Sequence, residues 1–198
     1  MRHLWLASAS PRRARLLASI GVHVSLLPPP DIDEQPLTGE TPLAYVTRLA
    51  AEKARVGWAG LAAQHRPGAA VLGADTAVVL GQRILGKPSD PSEARAMLAA
   101  LSGREHQVLS AVTVITADGE NSEVSDTLVR FATLSAADID RYVASGEPMD
   151  KAGSYAVQGF AAVFVEQISG SYSGVVGLPL AETGRLLRQA GVGIWQTR

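Results

Sequence analysis

Apolar residues recur along the chain with two spacings, which predict strands interleaved with helices. A nearly continuous, valine-rich run at 69–80 is typical of a central strand buried on both faces. Residues 41–64 carry apolar side chains at every third or fourth position, which predicts a long helix beginning at Thr41 or Pro42. Shorter apolar runs bounded by turn residues predict further strands at 3–7, 22–27, 83–85, 107–116, 122–133 and 161–168.

Cap and turn residues place the remaining elements. Pro11 directly follows a serine and favours a helix start, and Gly21 ends that helix. Ser135 is a predicted N-cap of a further helix. The other predicted elements are helices from 10 to about 19, at 92–101 and at 178–190, hairpin turns at 81–82 and 118–119, a loop at 146–159 and a glycine-rich loop at 170–177. We therefore predict an α/β fold with a mixed twisted sheet and flanking helices, as a single domain over residues 1–198.

Composition and charge narrow the class of protein. The 198 residues are 46% hydrophobic and 19% charged, as in an ordinary globular protein. Lysine plus arginine is 18 and aspartate plus glutamate is 19, so the net charge is −1. This balance argues against a nucleic-acid partner, although a few clustered cations can still attract a small anion. The absence of cysteine fits a reducing compartment, and no secretory or membrane-spanning run is apparent, so we expect a cytoplasmic location and no membrane partner.

The segment 8–13 reads Ser-Ala-Ser-Pro-Arg-Arg and joins a predicted strand to a predicted helix. A helix start directs free N–H groups and a positive dipole end at whatever precedes it, which suits an anion. Arg12 and Arg13 add permanently charged donors that match phosphate oxygens. The alternative interpretation is a plain helix cap, with the serine hydroxyl as its acceptor, followed by two solvated arginines.

Two charged residues fall where the pattern requires apolar ones. Asp75 lies inside the run 69–80, where an unpaired carboxylate would cost on the order of several kcal/mol. It therefore requires a cation, a metal or a cleft beside it, unless it is a strand-end aspartate bonded to backbone N–H groups. Lys53 lies on the apolar stripe of the long predicted helix, where it either extends to the surface or reaches into a cleft to meet a phosphate.

Two further segments offer weaker candidates. Residues 31–34 read Asp-Ile-Asp-Glu, and loop carboxylates of this kind are usually solvated but are also the ligands that Mg²⁺ takes. Residues 81–88 nearly match a phosphate-binding P-loop, but Pro88 replaces the hydroxyl residue that the motif requires. Only Lys87 remains from it as a candidate phosphate ligand. The four histidines are scattered, so no zinc spacing or Ser-His pair is apparent.

In combination, these segments resemble the Maf family of nucleotide pyrophosphatases over nearly the whole chain, from Leu4 to about Leu187. Each shared motif is modest alone, but seven in family order are highly specific. The motifs lie at 6–13, 33–34, 49–54, 73–76, 86–88, 150–159 and 170–179. The resemblance implies a mixed α/β sheet split into two lobes by a deep cleft, similar to inosine triphosphate pyrophosphatases, and a homodimer.

The resemblance also implies roles for individual residues. Asp75 matches the proton acceptor for water, and Glu34 with Asp75 would hold a divalent cation, Mg²⁺ or Mn²⁺. A direct metal ligand has a low pKa whereas a base needs a higher one, so the order of these two roles for Asp75 stays open. The residues implied to contact phosphate are Ser8, Ser10, Arg13, Lys53 and Lys87, and those implied in base selection are Arg12, Thr76 and Gln158.

The implied activity is hydrolysis of a nucleoside triphosphate to the monophosphate and diphosphate, as a house-cleaning enzyme. Gln158 before Gly159 resembles the branch that acts on dTTP and UTP, with modified pyrimidine nucleotides as further substrates, whereas the branch acting on 7-methyl-GTP carries a glutamate there. Two alternatives stay open. One is a non-catalytic nucleotide-binding regulator of cell division, and the other is a purine pyrophosphatase for 7-methyl-GTP or inosine-type nucleotides.

Overall fold

The valine-rich run forms the strand around which the sheet is built. The structure, a computed structural model, describes residues 1–196, and its strand β3 covers the predicted 69–80 run without change. The sheet has seven strands in the order β2-β1-β3-β5-β6-β7, with β4 also paired to β3. Strand β1 is parallel to β2 and β3 and the other pairs are antiparallel, which confirms the predicted mixed sheet. The strands are β1 (His3–Leu6), β2 (Val24–Leu26), β3 (Ala69–Leu80), β4 (Arg83–Leu85), β5 (Glu105–Thr116), β6 (Gly119–Phe131) and β7 (Val165–Ser169).

Helices flank the sheet and begin at the residues that local capping favours. Proline occupies the first turn of the first three helices, and the side chains of Thr41, Asp90 and Ser135 accept capping hydrogen bonds from backbone N–H groups. The helices are α1 (Pro11–Ser19), α2 (Pro42–Gly60), α3 (Pro91–Leu101), α4 (Ala136–Ala144), α5 (Tyr172–Val176) and α6 (Leu180–Gln189). No helix within residues 1–196 is long and apolar enough to cross a membrane.

Several predicted boundaries and two predicted loops are wrong. Strand β6, expected at 122–133, covers Gly119–Phe131. The second strand is only Val24–Leu26, the long helix ends at Gly60 and gives way to a 3-10 turn at Ala63–Gly68, and the loop at 146–159 contains two short 3-10 turns. The strand expected at 161–168 begins only at Val165, because Phe160–Phe164 forms a 3-10 turn. The glycine-rich loop at 170–177 contains α5, since Ser171 caps it by accepting from the Gly174 N–H at 3.0 Å.

The two largest apolar clusters occupy opposite ends of the long strands. One packs Leu6 and Leu72 against α1 and α6. The other packs Val78 and Val108 against α3 and α4. The centre of β3, including Asp75, lies between them, which agrees with the expected arrangement of two lobes.

The sheet is interrupted beside the centre of β3. On the side of β3 away from β5, β1 pairs with β3 only as far as Leu72, and β4 begins to pair at Val78. Strand β3 therefore has no strand neighbour on that side between Gly73 and Ala77 in the described part of the chain. Successive side chains of a strand point to opposite faces of the sheet. At this break no neighbouring strand separates the two faces, so Asp75 and Thr76 line the same cleft.

Candidate active site

The cleft at this break has a volume of about 690 Å³, within the range of small-molecule sites. Its walls come from the loop before α1, the middle of β3, the segment after β4 and the segment 150–158. The cleft brings together all of the residues singled out from the sequence, which are Ser8, Ser10, Arg12, Arg13, Glu34, Lys53, Asp75, Thr76, Lys87 and Gln158. Their convergence is a structural finding, while their individual roles stay predictions.

The absence of a side chain at Gly73 lets helix α2 approach β3 closely, which brings Lys53 into contact with Asp75. Helix α2 lies so close to β3 that a Cβ on Gly73 would be 2.4 Å from both the Ala50 carbonyl oxygen and the Ala54 nitrogen. This approach brings the Lys53 Nζ to 2.7 Å from Asp75 Oδ1, with both side chains buried. Lys53 therefore does not extend to the surface, and Asp75 has the cation that its position in an apolar strand requires.

The same ammonium group contacts a second carboxylate. Lys53 Nζ lies 2.6 Å from Glu34 Oε1, and the Glu34 side chain is half-exposed at the cleft. The Glu34 backbone is held by Tyr45, whose hydroxyl donates to the Glu34 carbonyl oxygen at 3.0 Å. Two carboxylates from distant parts of the chain thus converge on one cation.

Burial gives these two carboxyl groups different proton affinities. Burial raises the pKa of Asp75, and the opposing charges of Lys53 and Arg13 only partly offset this. Burial also acts to raise the pKa of Glu34, but the hydrogen bond and charge of Lys53 outweigh it, so that pKa is lowered. A raised pKa makes Asp75 the better proton acceptor of the two near neutral pH.

Arg13 is buried and held from two sides at the start of α1. Its Nε donates to the Gly177 carbonyl oxygen at 2.8 Å, and its Nη1 donates to Ser8 Oγ at 3.0 Å. Ser8 Oγ also accepts from the Ser10 backbone N–H at 3.2 Å. Ser10 is the N-cap residue, yet its hydroxyl makes no capping bond, so the expected hydroxyl cap is wrong. Burial lowers the pKa of Arg13, but a guanidinium remains charged in proteins.

The acidic loop supplies fewer ligands than its sequence offers. Glu34 is the only acidic residue of the loop 31–34 in the cleft wall. Asp33 instead accepts a hydrogen bond from the Gln35 N–H at 2.9 Å, as in a local turn. Across residues 1–196 no group of three or more histidine or acidic side chains is arranged to hold a metal. Glu34 and Asp75 are the two carboxylates of the cleft that converge on one point, the Lys53 ammonium.

A hydroxyl relay through Ser110 and a carboxylate contact from Glu147 support residues of the cleft from outside its wall. Thr76 Oγ1 is 2.9 Å from Ser110 Oγ, which lies 2.6 Å from the Gly174 carbonyl oxygen. Gln158 is exposed and lines the cleft. Two residues later, the Phe160 backbone N–H donates to Glu147 Oε2 at 3.0 Å. The Glu147 Oε1 accepts from Tyr142 OH at 2.9 Å, which fixes the carboxylate.

Sequence reasoning missed several residues around the cleft. Tyr45 is eight residues before Lys53 on the same face of α2, a helical spacing that could have identified it; burial, with the nearby acidic charges, raises the pKa of Tyr45 to about 12. Lys151 adds a further cation to the cleft wall and donates to Asp150. No sequence signal could have found Ser110 or Glu147, because both act through partners that are distant along the chain.

The fold and the site together define an α/β protein with a cation-rich, small-molecule cleft built around one buried carboxylate. A comparison with known families matches residues 3–190 to the Maf-like proteins. The chain belongs to the Maf family.

Curated relatives cover almost the whole chain. A protein of Shewanella oneidensis named dTTP/UTP pyrophosphatase is 55% identical over 194 residues, which span 96% of this chain and 99% of the relative. A protein of Alcanivorax borkumensis with the same name is 54% identical over 193 residues, 98% of each chain. Among solved structures, a HAM1 protein from Coxiella burnetii is similar at a TM-score of 0.48 and 17% identity, covering 96% of this chain and 100% of that one.

Proposed function

We propose that this protein hydrolyses dTTP and UTP to the nucleoside monophosphate and diphosphate, with modified pyrimidine nucleotides as further substrates. The observation that supports this most is the buried Asp75, a carboxyl group of raised pKa facing a cation-rich cleft. A protein that only binds nucleotides has no use for a water-activating carboxylate. The names of relatives more than half identical to this chain point to the same substrates.

The triphosphate would lie along the cations of the cleft. Arg13 is prepositioned by Ser8 and by the Gly177 carbonyl, so little side-chain entropy is lost on binding. The start of α1, with Ser10 at its cap, offers backbone N–H groups to a phosphate. Lys87 is exposed and lines the same cleft. The Lys53 ammonium carries three protons, so it can hold Asp75, Glu34 and a phosphate oxygen at once.

The proposed reaction is in-line attack of water on the α-phosphorus. Asp75 accepts a proton from the water as the new P–O bond forms, and the bond between the α-phosphorus and the bridging oxygen breaks. Diphosphate leaves with that oxygen. Arg13, Lys53 and Lys87 neutralise the charge that develops on the phosphate oxygens, a contribution that is large in a water-poor site.

Glu34 and Asp75 also fit a divalent cation, Mg²⁺ or Mn²⁺. Each has an oxygen within 2.7 Å of the same nitrogen, so the two carboxylates are close enough to share a cation. One or two carboxylates, completed by phosphate oxygens and water, is the ligand set that Mg²⁺ prefers. Such an ion would supply Lewis-acid stabilisation of the phosphate charge. A chelator is expected to abolish turnover.

Arg12, Thr76 and Gln158 are the proposed base-recognition residues. The Gln158 amide can donate and accept at once, which suits the alternating carbonyl and N–H edge of thymine or uracil. A site that depends on such bonds rejects a base that leaves buried partners unpaired. A homodimer in the cytoplasm, with no nucleic-acid or membrane partner, completes the proposal, and light scattering of the purified protein would test the dimer.

The proposal is tested with a panel of nucleotides and Mg²⁺ in ¹⁸O-labelled water. We expect dTTP and UTP to be preferred over ATP and GTP, diphosphate as the primary product, and the label in the monophosphate. Label in the diphosphate would place the attack on the β-phosphorus instead. Orthophosphate as the primary product would exclude this reaction, and equal or better turnover of purine nucleotides would favour the purine alternative.

A further inference from the structure

Ser110 lies outside the cleft wall but directly behind Thr76. The two residues are opposite each other in the antiparallel pairing of β3 and β5, and their hydroxyl oxygens are 2.9 Å apart. Ser110 is completely buried, and its Oγ is 2.6 Å from the carbonyl oxygen of Gly174 in α5. Thr76 is partly exposed and lines the cleft. A chain of three oxygen atoms therefore runs from the packed interior to the substrate site.

The direction of these hydrogen bonds follows from counting protons. A carbonyl oxygen can only accept, so at 2.6 Å the single hydroxyl proton of Ser110 must point at Gly174. Ser110 Oγ can then only accept from Thr76, and the Thr76 proton is directed away from the cleft. The Thr76 oxygen consequently presents lone pairs, and no proton, to a bound ligand.

We infer that Ser110 is a specificity-positioning residue, which fixes Thr76 as a hydrogen-bond acceptor and so favours a pyrimidine with a ring N–H over one without. This inference rests on the proposed function. Uracil and thymine carry a proton on ring nitrogen N3, whereas the same nitrogen of cytosine carries a lone pair. Gln158 cannot make this distinction alone, because rotation of its amide exchanges donor and acceptor. A hydroxyl of fixed direction can.

The test compares UTP with CTP in Ser110→Ala. Without the Ser110 hydroxyl, the Thr76 hydroxyl can rotate and donate its proton to the cytosine N3. Since a mismatched buried hydrogen bond weakens recognition by roughly ten- to a hundredfold, we expect the ratio of kcat/KM for UTP to that for CTP to fall about tenfold or more. Most of this change should be a gain with CTP, while kcat/KM for UTP stays within a few-fold of the wild type.

Two further variants separate this role from a structural one. Thr113 lies on the same strand, is fully buried and pairs its hydroxyl with Ser122 at 2.8 Å, outside the cleft wall. Thr113→Val therefore removes a matched buried hydroxyl and should leave the UTP:CTP ratio unchanged. In a Thr76→Val background, Ser110→Ala should have no effect on the ratio, because Ser110 acts only through Thr76.

The outcomes distinguish this inference from the proposed function. If the wild type releases diphosphate from UTP and Ser110→Ala keeps the wild-type ratio, the inference is wrong and the function stands. If Ser110→Ala lowers kcat/KM for UTP and CTP equally, the role of Ser110 is structural and the inference is wrong. The same holds if Ser110→Ala changes the UTP:CTP ratio as much in the Thr76→Val background as in the wild type. If the wild type hydrolyses neither dTTP nor UTP, the proposed function itself fails.

Discussion

Replacing Gly73 by alanine should separate Lys53 from Asp75 without changing either charged residue. The new Cβ would lie 2.4 Å from the Ala50 carbonyl oxygen and from the Ala54 nitrogen. Both are backbone atoms of α2, so no side-chain rotation can relieve the contact. The helix must move away from β3, and Lys53 moves with it.

The size of the effect follows from these distances. Non-bonded atoms are comfortable at roughly 3.5 Å, so α2 must shift by about 1 Å. A shift of that size would lengthen the 2.7 Å contact between Lys53 and Asp75 to about 3.7 Å, which is no longer a hydrogen bond. Overpacking of a core costs about 1–3 kcal/mol, and we expect the upper end here. A misplacement of about 1 Å in an active site can lower the rate about 10²-fold.

Urea unfolding followed by circular dichroism measures the loss of stability. Diphosphate release from dTTP measures the loss of rate, at a temperature where the variant is folded. Gly60→Ala is the matched control, because Gly60 lies on the same helix and nothing is within 4 Å of its added Cβ. It should keep wild-type activity and, as an alanine in a helix, gain up to about 1 kcal/mol. A Gly73→Ala protein with wild-type stability and turnover within a few-fold would refute the packing argument.

Three further changes test other parts of the site and fold. Asp75→Asn keeps the size of the side chain but removes the base, so turnover of dTTP should fall by about 10²–10⁴-fold, while calorimetry with a non-hydrolysable analogue should detect little loss of affinity. Burial lowers the pKa of His106 from 6.5 to about 4, so the unfolded chain binds this proton first as the pH falls. At 1.36 kcal/mol per pKa unit, the free energy of unfolding should fall by about 3 kcal/mol between pH 6.5 and about pH 4. In urea titrations, His106→Phe should lack this part of the pH dependence. Glu147→Ala releases the backbone next to Gln158, so steady-state kinetics should show about a tenfold rise in KM for dTTP with a smaller change in kcat.

Surface residues of the same types provide the controls. Asp140→Asn removes one partner of an exposed ion pair with Arg95 and should leave turnover unchanged. His23 is exposed, and His23→Gln serves as the control for replacing a histidine outside the core. If Asp75→Asn hydrolyses dTTP within a few-fold of the wild type, Asp75 is structural. An unaltered pH dependence in His106→Phe, or an unaltered KM in Glu147→Ala, would contradict the corresponding prediction.

The elements that could be predicted are those set by local interactions. Strand β3 is correct to the residue because its continuous apolar run is bounded on both sides by turn residues. The starts of α2 and α4 are correct because Thr41 and Ser135 cap them through their own side chains. Residues 161–164 lie in a 3-10 turn instead of the predicted strand because that turn is held by Glu147, which no apolar spacing reveals.

The sequence by itself determined which residue types are available to the site. Asp75 and Lys53 were identifiable because charged residues at apolar positions are costly unless they are paired, and the structure pairs them with each other. The break beside β3, the second contact of Lys53 with Glu34 and the relay through Ser110 were decided only by the tertiary structure. These features depend on where β1 ends relative to β4, and on how closely α2 approaches Gly73. Such register and packing distances arise between segments far apart in the chain, and residue spacing within one segment carries no information about them.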